Sequence, residues 1–327
     1  MTDSDLAAAP LRIGYERAEI GELLLQSDVL AVIGFGAGAG TALCDDPRVL
    51  CVGLEPLQPA PLEVWRTHGT VACGREGALR WSEDGDYLFV AIEIDETAHE
   101  DIRAAAQYAY HSLTDFVAAS ATPHLLRLWN YLDAINVGAA DAERYRLFCD
   151  GRARGMHAMH GACYPAASAI GRQDGVRVLQ VYGLASRTAG TPVENPRQIS
   201  AWRYPRQYGP TAPTFARGML NTPAQLLISG TAAVVGHASR HRDDLAAQVA
   251  ETMANLDSLV QQAGARERSF GPHSFLKAYV RDHADAPFVA ETVQACAPTL
   301  GGLLLLGGDI CRRELLVEID GVHPLGD

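Results

Sequence analysis

The sequence has almost no lysine. Lys277 is the single lysine in 327 residues, so nearly all of the 27 basic side chains other than histidine are arginines. The formal net charge is 27 − 39 = −12. Nucleic acids and anionic membranes are bound through clustered cations that neutralise phosphates, so neither is expected as a partner. The arginine excess fits bidentate binding of carboxylates, and a GC-rich genome would produce the same bias.

Paired cysteines and long apolar runs are also missing. None of the seven cysteines forms a CxxC pair, which gives no signal for a zinc site. Their odd number and scattered placement predict reduced thiols in a cytoplasmic protein. No run reaches the ~18 apolar residues of a membrane-spanning helix. The first 12 residues include acidic side chains, so they are not expected to be a signal peptide.

The length suggests about two domains, and two halves of the chain show the same order of elements. In the first half we predict strands over 87–94, 125–132 and 176–182, with helices over 100–119 and 142–149. In the second half we predict strands over 225–236, 274–281 and 314–319, with helices over 243–263 and 287–296. The proline-rich stretch 187–223 contains the joint, which predicts domains over 1–186 and 187–327. Residues 1–86 add further strands, notably 29–35.

The segment 311–321 is predicted to be a strand with one apolar face. Leu315, Val317 and Ile319 alternate with residues of a second face, which carries Glu318. Beside a cleft, that carboxyl group can give or take a proton, whereas on an outer face it is merely solvated. The corresponding strand of the first half has Arg177 and Gln180 but no carboxylate. If the halves are a duplication, one active site is expected rather than two.

Two segments combine arginines with aromatic residues. Residues 202–217 place three arginines among Tyr204, Tyr208 and Phe215, and residues 143–154 contain a second arginine cluster. Such a combination suits a small anionic ligand with an apolar ring. The alternatives are solvated arginines on a surface loop and, for the second cluster, favourable placement at a helix C-terminus.

Three other motifs are weak. The glycine-rich stretch 34–40 does not match the dinucleotide fingerprint G-x-G-x-x-G, because position 39 is alanine, and we interpret it as a loop. Ser229 lacks the G-x-S-x-G context of a nucleophile, and a backbone role for Gly230 is favoured. His157 and His160 have no third ligand in view, so no metal site is predicted.

The second half resembles the YjgF/RidA family. The resemblance is carried by Tyr208-Gly-Pro210, by the strand 227–230, by the helix around Asn255, and by the ending 317–320. The whole chain, from about residue 11 to 324, is similar to the chorismatases, which fuse two such units. The segments that carry this similarity are 29–35, 126–154, 164–171, 202–217, 228–237 and 311–318.

The resemblance implies an α+β fold of two fused YjgF/RidA-like (chorismate mutase-like) domains, each a mixed sheet with helices on one face. It implies removal of the enolpyruvyl side chain of chorismate as pyruvate, with no metal or organic cofactor. Glu318 would be the proton donor. The residues expected to bind substrate are Arg217, Tyr208, Arg203, Tyr204, Arg144, Tyr145, Arg152, Arg154, Gly230, Thr231 and Ala232.

The resemblance also bears on the product. Aromatising members, which make 3-hydroxybenzoate and in some cases 4-hydroxybenzoate, have a cysteine seven residues before the glutamate. Here 318 − 311 = 7, and Cys311 occupies that position. Aromatising members can have glycine where hydrolytic members have alanine on the Ser-Gly-Thr strand. Here Ala232 follows Thr231, so the hydrolytic product, a 4,5-dihydroxycyclohexa-1,5-diene carboxylate, remains an alternative.

Two other functions remain open at this point, a non-catalytic metabolite-binding protein and an enamine or imine deaminase. The chain is expected to be a monomer or a small homo-oligomer.

Overall fold

The computed structural model describes residues 11–36, 45–156, 159, 161–221, 225–265 and 270–325. Its N-terminal part is a four-stranded sheet of order β1-β4-β2-β3, with a short helix α1 (Ile20–Leu24). The strands are β1 (Arg12–Glu16), β2 (Val29–Phe35), β3 (Val49–Val52) and β4 (Leu62–Arg66). The predicted strand over 29–35 is confirmed.

A seven-stranded sheet follows, with helices α2 (Ile102–Ala119) and α3 (Arg144–Gly155). Its order is β18-β9-β8-β10-β7-β6-β5. The strands are β5 (Ala72–Glu76), β6 (Leu79–Glu83), β7 (Tyr87–Asp95), β8 (His124–Asp133), β9 (Ala166–Arg172), β10 (Val178–Ser186) and β18 (Asp309–Ile310).

The third large sheet has six strands in the order β11-β12-β13-β19-β16-β17, with helices α4 (Leu245–Gln262) and α5 (Ala286–Cys296). The strands are β11 (Thr191–Val193), β12 (Gly218–Asn221), β13 (Gln225–Thr231), β16 (Phe275–Val280), β17 (Gly302–Gly307) and β19 (Val317–Pro324). A small hairpin, β14 (Val234–Val235) and β15 (Ala238–Ser239), lies beside it.

The two larger sheets repeat one topology. The first unit runs β7-α2-β8-α3-β9-β10, and the second runs β13-α4-β16-α5-β17-β19. In each unit one pair of strands is parallel, β8 with β9 and β16 with β17. The last strand of each unit lies antiparallel between the first two, β10 between β7 and β8 and β19 between β13 and β16. The predicted α+β class with mixed sheets is confirmed.

The helices of each unit cover one face of its sheet. Asp101 and Asp244 cap the longest helices, each accepting a hydrogen bond from the backbone N–H three residues later, at 2.9 and 3.0 Å. In α4 the buried side chains Val249, Met253 and Leu256 recur at helical spacing and face the sheet. The inner faces of both sheets meet each other and the N-terminal sheet in one core. None of the helices in the described ranges is long and apolar enough to cross a membrane.

Several predicted boundaries are wrong. The segment 311–321 is not one strand: β19 begins at Val317, and residues 311–316 form an irregular segment with a turn closed by Leu315 N–H donating to the Arg312 carbonyl at 3.1 Å. The prediction for 225–236 is also too long, because β13 ends at Thr231. The helix predicted over 142–149 runs from Arg144 to Gly155. Strands β9 and β17 were missed altogether.

The domain boundary between residues 186 and 187 stays a prediction. Most strands of each repeated unit lie on one side of it. One exception is β18, from the second half, which pairs antiparallel with β9 of the first half through Asp309–Gly171 and Ile310–Ile170.

A buried ion pair joins all three sheets. Lys277 on β16 places Nζ 2.8 Å from Glu63 Oε2 on β4 and 3.3 Å from the Tyr182 hydroxyl on β10. The ammonium also lies 4.6 Å from the ring centroid of Trp129. Burial would lower the pKa of Lys277, but the charges of Glu63 and Asp320 outweigh it and raise that pKa. The single lysine is therefore a charged structural group.

Lys277→Met is expected to lower the free energy of unfolding by roughly 3–5 kcal/mol, because it leaves Glu63 buried and uncompensated. Urea unfolding followed by tryptophan fluorescence measures this. Arg187→Met is the control, since Arg187 forms an exposed pair with Asp86 and should change stability by less than about 1 kcal/mol. A Lys277→Met variant as stable as this control would contradict a stabilising role.

Candidate active site

A cavity of about 480 Å³ lies between the two repeated units. The first unit contributes α3 and the middle of β9, and the second contributes β13, the β14–β15 hairpin and the segment that leads into β19. The connection between the units, from Gln198 to Arg217, closes one side. The polar and aromatic residues that line the cavity are Glu143, Tyr145, Arg146, Phe148, Cys149, Arg152, Ser168, Gln198, Tyr204, Gln207, Tyr208, Thr214, Phe215, Arg217, Ser239, Arg242, Cys311, Arg312, Arg313, Glu314 and Glu318.

Glu318 reaches this cavity because of the strand alternation that the sequence predicts. Its neighbours Val317 and Ile319 pack with the helices on the outer face of the sheet. Glu318 therefore points inward, and it is only 5% exposed. Gly230 on β13 makes room for it, because a Cβ at that position would lie 1.9 Å from Glu318 Oε1. The pairing of β13 with β19 shifts register at this point, between Ile228 and Thr231.

The carboxyl group of Glu318 has a raised pKa. Burial is the largest cause, and the charge of Asp320 adds to it, while Arg127, Arg217 and Arg312 oppose it. Together they raise the pKa of Glu318 to about 8. At neutral pH the group is therefore mostly a neutral acid that can donate a proton into the cavity.

Asp320, two residues further on the same face, is held differently. Its Oδ2 atom accepts hydrogen bonds from four buried donors in both units: Arg127 Nη2 at 3.0 Å, Trp129 Nε1 at 3.1 Å, Ser168 Oγ at 2.6 Å and Tyr279 Oη at 2.9 Å. Asp320 is completely buried behind Glu318. It joins the units and supplies the negative charge that disfavours ionisation of Glu318.

Six arginines line the cavity: Arg146, Arg152, Arg217, Arg242, Arg312 and Arg313. Arg242 and Arg313 are exposed, whereas Arg152 and Arg217 are buried. Arg217 is 4% exposed, and its guanidinium lies 5.4 Å from the ring centroid of Tyr204 and 5.2 Å from that of Phe215. Its Nη2 donates to the Ile199 carbonyl at 2.9 Å, but its buried Nε has no hydrogen-bond partner among the described residues.

Arg312 and Arg152 are fixed in a similar way. Arg312 Nη1 donates to the His237 carbonyl at 2.8 Å, and the guanidinium lies 4.1 Å from the ring centroid of Tyr208. Arg152 is 3% exposed and donates through Nη2 to the Thr214 carbonyl at 2.9 Å. Backbone carbonyls and aromatic rings hold the guanidinium groups of Arg312 and Arg152 in place before any ligand binds. An anion could therefore bind them without rearrangement of these side chains.

Cys311 lies in the same cavity as a neutral thiol. Burial raises the pKa of Cys311 to about 12, and the nearby Glu318 contributes. Burial likewise raises the pKa of Cys149, on α3, to about 12. Neither sulfur is a thiolate nucleophile at neutral pH.

The structure brings together most of the residues predicted for the site. Those that line the cavity are Glu318, Cys311, Arg217, Tyr208, Tyr204, Tyr145, Arg152, Gly230 and Ala232. Four others do not. Arg144 pairs with Glu96, Arg154 pairs with the surface residue Asp150, Arg203 is exposed beside Trp202, and the Thr231 hydroxyl donates to the Ser229 carbonyl.

Arg312 is the main cavity-lining cation that the sequence analysis did not include among the candidate binding residues. On the predicted strand, Cys311 would share a face with Val317 and not with Glu318, and Arg312 would point the opposite way from Cys311. The irregular segment removes this alternation, so both line the cavity. No local sign in the sequence indicates that Arg312 contacts Tyr208. The two residues are 104 positions apart (312 − 208), and only the fold brings them together.

Of the weak motifs, only the one around Ser229 lies entirely within the described residues. The Ser229 hydroxyl is buried between the Ala216 carbonyl and the Ala167 N–H, at 2.6 and 2.9 Å. His157, His160 and most of the glycine-rich stretch 34–40 lie outside the described residues.

Comparison with known proteins agrees with this geometry. Residues 63–185 match the family model described as chorismatase FkbO/Hyg5-like, N-terminal. A 3-hydroxybenzoate synthase of Streptomyces hygroscopicus is 33% identical over 279 residues, which is 80% of each chain. A chorismatase of Streptomyces rapamycinicus is 34% identical over 279 residues, 80% of this chain and 81% of the relative. The crystal structure of a chorismatase covers 98% of this chain and 100% of its own, with a TM-score of 0.85 and 28% identity. This chain belongs to the chorismatase family.

Proposed function

We propose that this protein cleaves chorismate and releases its enolpyruvyl side chain as pyruvate, with 3-hydroxybenzoate as the ring product. The observation that carries the proposal is a buried, neutral Glu318 at the wall of a cavity that also holds Arg152, Arg217 and Arg312. Relatives named chorismatase and 3-hydroxybenzoate synthase support the choice of substrate and product.

The substrate fits the charges and shape of the cavity. Chorismate carries two carboxylates and a cyclohexadiene ring. Arginine binds carboxylates through paired N–H groups, and Arg152, Arg217 and Arg312 line the cavity. Tyr204, Tyr208 and Phe215 supply flat apolar surfaces for the ring. Because contacts within the protein already hold these guanidinium groups in place, their side chains should lose little conformational entropy when the substrate binds.

The chemistry requires an acid at the enol ether. Glu318 transfers its proton to the methylene carbon of the side chain, which leaves an oxocarbenium-like centre at the adjacent carbon. The resulting carboxylate of Glu318 faces this positive charge and stabilises it. Pyruvate and 3-hydroxybenzoate together have the composition of chorismate, so the aromatising reaction consumes no net water.

The ring hydroxyl beside the ether can add to the cationic carbon and lose its proton. Its C–O bond to the ring then breaks, so that this oxygen leaves as the ketone oxygen of pyruvate, and the former ether oxygen stays on the ring as a hydroxyl. A base, for which the ionised Glu318 is available, takes the ring proton from the carbon that carries this hydroxyl, and the ring becomes aromatic.

Hydrolysis is the second candidate, and the presence of Ala232 in the cavity favours it. In that reaction one water adds to the oxocarbenium-like carbon, and collapse of the adduct gives pyruvate and a dihydroxycyclohexadiene carboxylate. The two reactions share their first step and differ in whether water reaches the intermediate. Cys311, beside the acid, is placed to influence that access.

Glu318→Gln is expected to reduce pyruvate release from chorismate by about 100-fold or more, because the amide of glutamine is too weak an acid to transfer a proton. A coupled pyruvate assay measures this, with Glu291→Gln on the exposed side of α5 as the control. Thermal unfolding should show that the variant remains folded. Near-normal turnover in Glu318→Gln would remove Glu318 from the mechanism, and no pyruvate from the unaltered protein would refute the proposed substrate.

The rate is expected to fall above pH 8. Glu318 acts in its protonated form, and its pKa of about 8 means that the active form is abundant below this pH and is lost above it. Despite its burial, the pKa of Arg312 is raised by nearby tyrosines and Cys311, and the pKa of Cys311 lies well above this range. A profile of kcat/KM against pH should therefore show a descending limb near pH 8 that is caused by one group. A limb near pH 4.5, the ordinary value for glutamate, would contradict the assignment.

Cys311→Ala is expected to change the products more than the catalytic efficiency. The smaller side chain leaves space beside Glu318 that water can enter, so the share of hydrolytic product should rise. Chromatography of the ring products measures the ratio, and Cys296→Ala, at an exposed position, is the control. An unchanged mixture would mean that Cys311 does not determine the product.

A further inference from the structure

The segment 311–316 carries much of the cavity wall but has no regular structure of its own. It connects β18 to β19, and Cys311 and Arg312 both lie in it. An irregular segment lacks the ladder hydrogen bonds that would fix a strand, so its shape must be set by other contacts. The cavity depends on that shape, because it determines where the thiol and the guanidinium point.

Arg281, which does not line the cavity, is the first of two side chains that hold this segment. Arg281 follows directly after β16, and its backbone N–H donates to the Leu316 carbonyl at 3.0 Å. Its guanidinium bonds to five acceptors around the segment: the carbonyls of Leu315 at 2.9 Å, Ile310 at 3.0 Å and Arg312 at 3.1 Å, and the side chains of Asp309 at 2.6 Å and Asn136 at 3.1 Å.

These contacts use the full donor capacity of arginine. A guanidinium has five N–H groups in one plane, and Arg281 has five acceptors. Two of the bound carbonyls, those of Ile310 and Arg312, flank Cys311 on both sides. A lysine would keep the charge but has only three donors around a single atom, so it cannot bind this set of carbonyls.

A second anchor acts on the far side of the segment. Gln248 on α4 is completely buried, donates to the Glu314 carbonyl at 2.9 Å and accepts from the Leu316 N–H at 2.8 Å. Gln248 fixes the end of the segment next to β19, whereas Arg281 fixes the part that carries Cys311 and Arg312. Loss of Arg281 should therefore loosen the cavity wall without detaching the segment from the fold.

We propose that Arg281 is a positioning residue that fixes Cys311 and Arg312 in the cavity wall through the backbone of residues 310–315. The catalytic meaning of this role rests on the proposed function, since Arg312 would bind a substrate carboxylate and Cys311 would influence the product. The claim that Arg281 limits the access of reagents to Cys311 can be tested without a substrate.

Arg281→Lys tests the proposal with two independent readouts. The first is the rate at which iodoacetamide alkylates Cys311 in the folded protein, resolved by tandem mass spectrometry, with exposed Cys296 as the internal reference. We expect Cys311 to react about tenfold faster or more than in the unaltered protein, because local opening of the segment becomes easier. The second is kcat/KM for chorismate, expected to fall about tenfold or more through misplacement of the wall.

Arg66→Lys is the matched control. Arg66 is also largely buried, and it bonds through all three guanidinium nitrogens, but its partners Glu16, Gln26 and Asp28 belong to the N-terminal part of the chain. It should lose similar stability and leave both readouts unchanged. If Arg281→Lys matches Arg66→Lys in Cys311 alkylation, Arg281 is a structural tether only and the proposal is overturned.

Asn136→Ala provides a milder change if Arg281→Lys does not fold. It removes one acceptor of Arg281 and the hydrogen bond from Asn136 Nδ2 to the Ile310 carbonyl at 3.1 Å. A faster reaction of Cys311 than in Arg66→Lys supports the proposal, and an unchanged rate opposes it. An unaltered protein that releases no pyruvate would refute the proposed function alone, because the alkylation readout remains decisive for Arg281.

Discussion

The structure depends on burying two carboxyl groups on one face of a single strand. Asp320 receives four hydrogen-bond donors from both repeated units, so its negative charge can exist in the interior. Glu318 lies two residues earlier on the same face, nearer the cavity, and burial together with the charge of Asp320 raises its pKa to about 8. One residue thus joins the units as an anion, while its neighbour is kept as an acid.

The first unit has no counterpart of Glu318 on its equivalent strand, since β10 contains no carboxyl side chain. In the first unit β10 occupies the place that β19 has in the second, and its residue Gln180 bonds to Gly53 N–H and to Glu93 instead of lining a cavity. The inner face of β10 is covered by the N-terminal sheet, which packs into the shared core. The duplicated fold therefore provides two similar frameworks. The proposed chemistry takes place where β19 meets the arginines of α3 and of the connection between units.

Sequence periodicity predicted the elements that bury one continuous apolar face, such as α2, α4 and β7. It also placed Glu318 opposite Val317 and Ile319, which the structure confirms. It failed where long-range contacts override local pattern. The alternating pattern of residues 311–316 predicted a strand, but hydrogen bonds from Arg281 and Gln248 hold their backbone in an irregular path. For the same reason Arg312 was missed, while Arg144 and Arg154, in the predicted cluster, pair with carboxylates away from the cavity.

The central claim is that Glu318 is a neutral acid in the folded protein at pH 7. Infrared difference spectroscopy between the unaltered protein and Glu318→Gln, with and without carbon-13 glutamate labelling, observes that proton directly. The account predicts a carbonyl stretch of a protonated carboxyl group that shifts on labelling and is absent from the variant. A difference spectrum containing only carboxylate stretches at pH 7 would show that Glu318 is ionised and would contradict the account.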